Sequence, residues 1–271
     1  MPLGAIHTVT ITVPALEPVE AAYTRYLHMR VAARGVVAEA IALGWSAPAV
    51  AGCRMLTLLP ETGEETRLRF IEDPAAGECS AFTTHGWNAV ELTVRDTDAL
   101  AATLADSPFR IIGPPRNLKG FEWIRAMQVL GPAGECLYLT DVSTDPSLAK
   151  ARSTVGQVFI VVAGGPDIGA MTGFYAARFE VPVSPPVAVP IGVLNRAHGL
   201  APDSRHALAL VTLPEGTRVE LDQYPATAGP RPVRAGALPA GISMVSFRVA
   251  GDLATECLTG AAGELIELVE G

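Results

Sequence analysis

The sequence predicts an α+β protein built from tandem modules, each a strand, a helix and three further strands. Two observations carry that reading. The stretches Gly131–Val142 (GPAGECLYLTDV) and Gly260–Gly271 (GAAGELIELVEG) repeat Gly, Ala, Gly, Glu and Leu at matching positions, as two copies of one ending. A strand–helix–three-strand order also recurs three times along the chain with short connections, so each sheet is expected to be covered on one face by its helix.

In the first module, Ile6–Val13 alternates, with Val9, Ile11 and Val13 on one face and Thr8, Thr10 and Thr12 on the other, the period of a half-buried strand. Leu16–Leu27 places Leu16, Val19, Tyr23 and Leu27 near helical spacing. Apolar segments at Val36–Leu43, Met55–Leu59 and Leu68–Ile71 read as three strands. The second module runs Trp87–Val94, a helix from Asp98 to Leu104, then strands at Phe109–Ile112, Ala126–Leu130 and Cys136–Thr140. The third opens at Gln157–Val162, with a helix over Ile168–Phe179 and strands at Val187–Leu194, Ala207–Leu213 and Arg218–Asp222. The fourth is irregular. Ser243–Val249 alternates as a strand and Gly251-Asp252-Leu253 looks like a helix start, yet the terminal copy arrives almost at once. The last module is therefore expected to lack most of its helix and one strand.

With 271 residues and 49% of them apolar, the chain can bury a substantial core. The repeat divides it into two halves, 1–145 and 154–271. No apolar stretch is long enough to span a bilayer, and no signal peptide is visible. Four cysteines without paired spacing fit a reducing cytoplasm. A net charge of −8 argues against nucleic acid, whose phosphates need a basic footprint. The expected partner is a small molecule, and the chain a monomer or homodimer.

The repeated module, the helix-ending pairs Ala22-Tyr23 and Phe174-Tyr175, and the GAAGELIEL-type ending together resemble the vicinal oxygen chelate superfamily, which includes glyoxalase I, extradiol dioxygenases and bleomycin-resistance proteins. The resemblance covers nearly the whole chain. It implies modules paired into two cup-shaped sheets, with divalent-metal ligands on the first and last strands of each module. Carried over residue by residue, the amino-terminal half offers Thr8, Arg69, Ala89 and Tyr138, a degenerate set. The carboxy-terminal half offers Gln157, Glu220, Met244 and Glu267. The implied metal ligands are Gln157, Glu220 and Glu267, a hard, oxygen-rich set suited to Zn, Mn, Fe, Ni or Mg. Met244 breaks the pattern, because a thioether is a poor ligand for such ions.

Glu220 and Glu267 are the candidate catalytic carboxylates, converging on a metal as ligand and general base; the alternative is that each faces solvent at a sheet edge. Arg248 is a candidate substrate-binding residue through its planar fork, or else half of a rim salt bridge. His206, like His198, could shuttle protons or be an ordinary surface histidine. Asp222 shares the face of Glu220. His7 lies one residue off register, which assigns it to the helix-packed side with a structural or surface role. Trp45, Trp87 and Trp123 read as core or cup-lining residues. The function expected is a divalent-metal-dependent lyase or isomerase acting on a small oxygenated substrate. The alternative is a metal-free binding protein or a catalytically silent relative. A ring-cleaving dioxygenase fits less well, since the set lacks its two histidines.

Overall fold

The computed structural model describes residues 2–63, 66–118, 121–142, 150–251 and 256–271. The first module comprises β1 (Ile6–Val13), α1 (Leu16–Tyr26), β2 (Arg30–Val36), α2 (Glu39–Gly44), β3 (Arg54–Leu59) and β4 (Arg67–Glu72). The second has β5 (Gly86–Val94), α3 (Thr97–Leu104), β6 (Arg110–Leu118), β7 (Phe121–Leu130) and β8 (Cys136–Val142). The third has β9 (Val155–Gly165), α4 (Ile168–Phe179), β10 (Val187–Pro190), α5 (Gly192–Ala197), β11 (Arg205–Thr212) and β12 (Arg218–Gln223). The fourth contributes β13 (Gly241–Val249), β14 (Glu256–Thr259) and β15 (Leu265–Glu270).

The alternating pattern and the helix spacing place most of these elements where the sequence reading expects them. Two apolar runs differ. Val36–Leu43 and Val187–Leu194 each read as one strand, but the first is the last residue of β2 followed by α2, and the second is the whole of β10 followed by the start of α5. A short apolar run does not distinguish strand from helix by period alone. In the fourth module the interval between β13 and β14 is too short for a helix like α1 plus a strand. Asp252 and Leu253, read as a helix start, lie outside the described residues.

The modules pair across the halves of the chain rather than within them. One sheet has seven strands in the order β14-β15-β13-β1-β4-β3-β2, so the first module joins the fourth through antiparallel β1 and β13. The other has eight, β10-β11-β12-β9-β5-β8-β7-β6, joining the second and third through β5 and β9. The segments 1–145 and 154–271 therefore each supply a module to both sheets. The fold is two cup-shaped sheets of paired modules, the last one shortened.

An extended apolar core unites the helix-bearing faces. It contains Val9, Ile11 and Phe70 from the seven-stranded sheet, Val90, Val161 and Leu221 from the eight-stranded one, and Tyr23 and Phe179 from the helices. Asp96 and Asp167 cap α3 and α4 by accepting the N–H of Ala99 and Ala170 at 2.9 and 3.0 Å. The repeated endings have a structural role. In each, Gly131 or Gly260 donates its N–H to the carbonyl of Glu135 or Glu264 at 2.8 Å, closing the turn before the last strand. The glutamate then turns inward: Oε2 accepts from the Ala133 N–H at 2.9 Å in one copy and from the Ala262 N–H at 2.8 Å in the other. Tyr23, at the α1 end, donates to Glu135 Oε1 at 2.7 Å. The Tyr175 hydroxyl faces Glu264 in the same way, but stops outside hydrogen-bond geometry. Burial raises Glu135 to about 7 despite these bonds.

Candidate functional site

Because the modules pair across the halves, the expected ligand set is divided between two cups. Gln157 and Glu220 belong to the eight-stranded sheet, with Ala89 and Tyr138; Met244 and Glu267 belong to the seven-stranded sheet, with Thr8 and Arg69. Gln157, Glu220 and Glu267 are not brought together, and no group of three or more His, Cys, Asp or Glu side chains able to hold an ion occurs among the described residues. The donor set does not fit the implied metal. Arg248 and His206, the expected substrate-binding pair, are separated in the same way, one on β13 and the other on β11.

In the seven-stranded cup, Glu267 is committed to its own protein. Its neighbours in the ladder bring Ser246 beside it on β13, and Arg69 reaches it from β4. Arg69 Nη2 donates to Glu267 Oε2 at 2.8 Å, Trp45 Nε1 donates to Oε1 at 2.5 Å, and the Ser246 hydroxyl also donates to Oε2. Arg69 is held by Thr10 Oγ1 at 2.9 and 2.7 Å and lies 4.5 Å from the centre of the Trp45 ring. Burial opposes ionisation of Glu267, but Arg69 and the hydrogen bonds of Ser246 and Trp45 outweigh it and hold the carboxyl below its ordinary value. It is a closed carboxylate, with three donors on two oxygens. Met244 is fully buried and packs with Trp45, Val50 and Leu238 in the apolar filling of this cup.

A bulge alters the placement of His7. The register shifts between Ile6 and Thr8, so His7 is the extra residue and strict alternation fails there. Burial, then the charges of Arg67, Arg248 and Arg69 against that of Glu267, lowers His7 to about 4, a neutral imidazole among the charges of this cup.

The eight-stranded cup is open. It holds a cavity of about 1040 Å³, at the upper limit of small-molecule sites. Its walls are apolar, with Trp123, Ile160, Leu208 and Leu210 among them, and Arg116, Arg205 and Arg218 join the lining. Two carboxyl groups reach it, Glu220 from β12 and Glu91 from β5. Burial raises Glu91 to about 7, against the Thr140 hydroxyl that donates to it and the charge of Arg218. Glu220 is pushed well above the carboxylate range, first by burial and then by Asp222 and Glu91. Asp222, two residues on and 1% exposed, is raised by burial, and its Oδ1 has no hydrogen-bond partner among the described residues.

Gln157 is half-buried on β9 and does not line the cavity. His206 shares a strand with Leu208 and Leu210, but its Nε2 lies 2.6 Å from Asn195 Oδ1, and that contact fastens α5 over one end of the cup. His198 is likewise occupied, with Nε2 2.8 Å from the Phe82 carbonyl and Nδ1 2.7 Å from Thr227 Oγ1. Glu91 escaped the sequence reading, which took Ala89 as the ligand position. The signal was present: a carboxylate inside the apolar strand Trp87–Val94, two residues beyond Ala89 and so on the same face.

No protein-family model matches the sequence, and no curated protein matches it. Solved structures do share its fold. Glyoxalase I from Zea mays superposes with a TM-score of 0.64 at 12% identity, covering 98% of this chain and 92% of the maize chain. A putative dioxygenase from Bacillus subtilis gives 0.65 at 11% identity, covering 98% of this chain and 85% of that one. At these identities the likeness is one of fold, and it extends over both sheets.

Proposed function

Starting from the vicinal oxygen chelate fold, we propose that this chain binds a small molecule in its eight-stranded cup without a chelated metal. The observation that supports this most is the cavity that joins apolar walls to the Glu91–Glu220 pair. Burial raises both carboxyls, Glu91 to about 7, so each holds its proton to higher pH than a free carboxyl, and a protonated carboxyl donates a hydrogen bond. With Arg116, Arg205 and Arg218 in the same lining, the polar part of the cup favours acceptor oxygens over cations. The ligand class is therefore a planar or apolar body carrying carbonyl, carboxylate or phenolate oxygen.

Trp123 lines the cavity and is 44% exposed, whereas Trp45 and Trp87 are buried at 2% and 1%. Tryptophan fluorescence titration is thus a direct assay, with Trp123→Phe as its control. Aromatic carboxylates and hydroxyquinones are expected to quench Trp123, and Glu220→Leu to weaken them roughly 10-fold through one lost hydrogen bond. A chelator is expected to leave binding unchanged. Preference for aromatic amines, or abolition of binding by chelation, contradicts the reading.

One observation favours a second reading, a proton-transfer enzyme. A carboxyl at about 7 is matched to accept and return a proton at neutral pH. If Glu91 exchanges a carbon-bound proton of the ligand with solvent, deuterium enters that position, and Glu91→Gln stops incorporation, whereas its amide N–H keeps a donor toward the ligand and retains most of the affinity. Without incorporation into any bound ligand, binding alone remains.

A further inference from the structure

The seven-stranded cup is shut by a piece of its own chain. Between β2 and β3, residues 38–52 form a loop whose base is pinned by Val37 N–H donating to the Cys53 carbonyl at 2.9 Å and Gly52 N–H to the Val37 carbonyl at 2.8 Å. Closed ends and a packed interior are the marks of an Ω-loop. The loop drops Trp45, 2% exposed, into the cup. There the indole finds a slot built for it: a carboxylate acceptor for its N–H, Glu267 Oε1 at 2.5 Å; a guanidinium over its ring, Arg69 at 4.5 Å; and apolar contacts from Val50, Leu238 and Met244. A buried ion pair adds little stability over an apolar filling of the same volume. Its geometry here matches a flat ring with a donor on its edge.

We propose that this cup is a binding site for a planar aromatic molecule bearing an N–H donor, and that Trp45 is its built-in occupant. Tethering predicts that the wild-type site will not take up the free molecule. An occupant carried on a short pinned loop competes at an effective concentration that dilute indole does not match. The inference concerns the opposite sheet from the function proposed above, and the two stand or fall separately.

The test uses the full chain with Trp45→Gly, titrated calorimetrically with indole and with indene, which has the same shape but no N–H. The expected result is indole binding by the variant and none by the wild type, with indene roughly 10- to 100-fold weaker, as fits the loss of one hydrogen bond to a charged acceptor. Adding Glu267→Leu together with Arg69→Met to the variant, which removes the acceptor and leaves no unpaired charge, should erase most of that preference. Equal affinity for indole and indene, or no indole binding by the folded variant, overturns the proposal. Should the variant fold poorly, its refolding yield reports the same preference: indole must raise the yield above that with indene, and equal or unchanged yields overturn the proposal.

Discussion

Removing either member of the Arg69–Glu267 pair should be costly, while removing both should not cost the sum. The side chains are 16% and 4% exposed, so each deletion strands a largely buried charge. Breaking such a pair costs about 3–5 kcal/mol. Arg69 would keep its two bonds to Thr10 and its contact with the Trp45 ring, which places Glu267→Gln near the lower end, about 3 kcal/mol. In Arg69→Met, Glu267 keeps the Trp45 and Ser246 donors but loses its counter-charge, and a similar cost is expected. In the double variant no charge remains, and the glutamine carbonyl still accepts the Trp45 N–H. The coupling energy should therefore reach about 2–3 kcal/mol. Urea unfolding of the four proteins at neutral pH measures it. Linkage provides a second check. The folded carboxyl lies below its ordinary value of 4.5, so its contribution is present above that value and is lost as pH falls through the folded one. Additive single costs, or single costs below about 1 kcal/mol, would refute the buried-pair reasoning.

Glu135, raised by burial to about 7, has the opposite sign: its folded state holds the proton more tightly than the unfolded chain. Its contribution is therefore present below about 4.5 and is lost as pH rises through about 7, on the order of 3 kcal/mol. Glu135→Gln, with its carbonyl on the Ala133 N–H and its amide on Tyr23, should unfold at higher urea than the wild type at pH 8; equal or lower midpoints would count against a neutral Glu135. At Gly164 an added Cβ would overlap the buried Tyr224 ring, so Gly164→Ala should destabilise by about 1–3 kcal/mol, and an unchanged thermal midpoint would show that the ring moves freely. Asp167→Ala removes the cap of α4 and should cost about 1 kcal/mol; a loss no greater than that of an exposed Asp→Ala control would show that the cap adds nothing.

The modules, most of their strands and the helices α1, α3 and α4 were legible because alternation and helical spacing are local signals. The ending GxAGE was legible as a repeat, but not as a turn that sends Glu135 and Glu264 inward toward Tyr23 and Tyr175. The helices α2 and α5 were hidden in short apolar runs that suit either state, and with α2 went the delivery of Trp45. The bulge at His7 was invisible, since an extra residue shows only against the partner strand. Glu91 was missed because the vicinal oxygen chelate resemblance pointed to Ala89, two residues back on the same face.

By itself the sequence determined the module type, the alternation that turns Thr10 and Glu220 away from the helix-packed core, and the shortening of the last module. Which modules share a sheet was decided only in the tertiary structure. Strand ladders are made by backbone N–H and C=O groups that every residue but proline carries alike, so four related first strands do not name their partners locally. That pairing settles the fate of the two endings. Tyr138 pairs with Glu91 in the eight-stranded sheet, and Glu267 meets Arg69 and Trp45 in the closed cup. The carboxylate that looked like the surviving ligand is the one the fold has already filled.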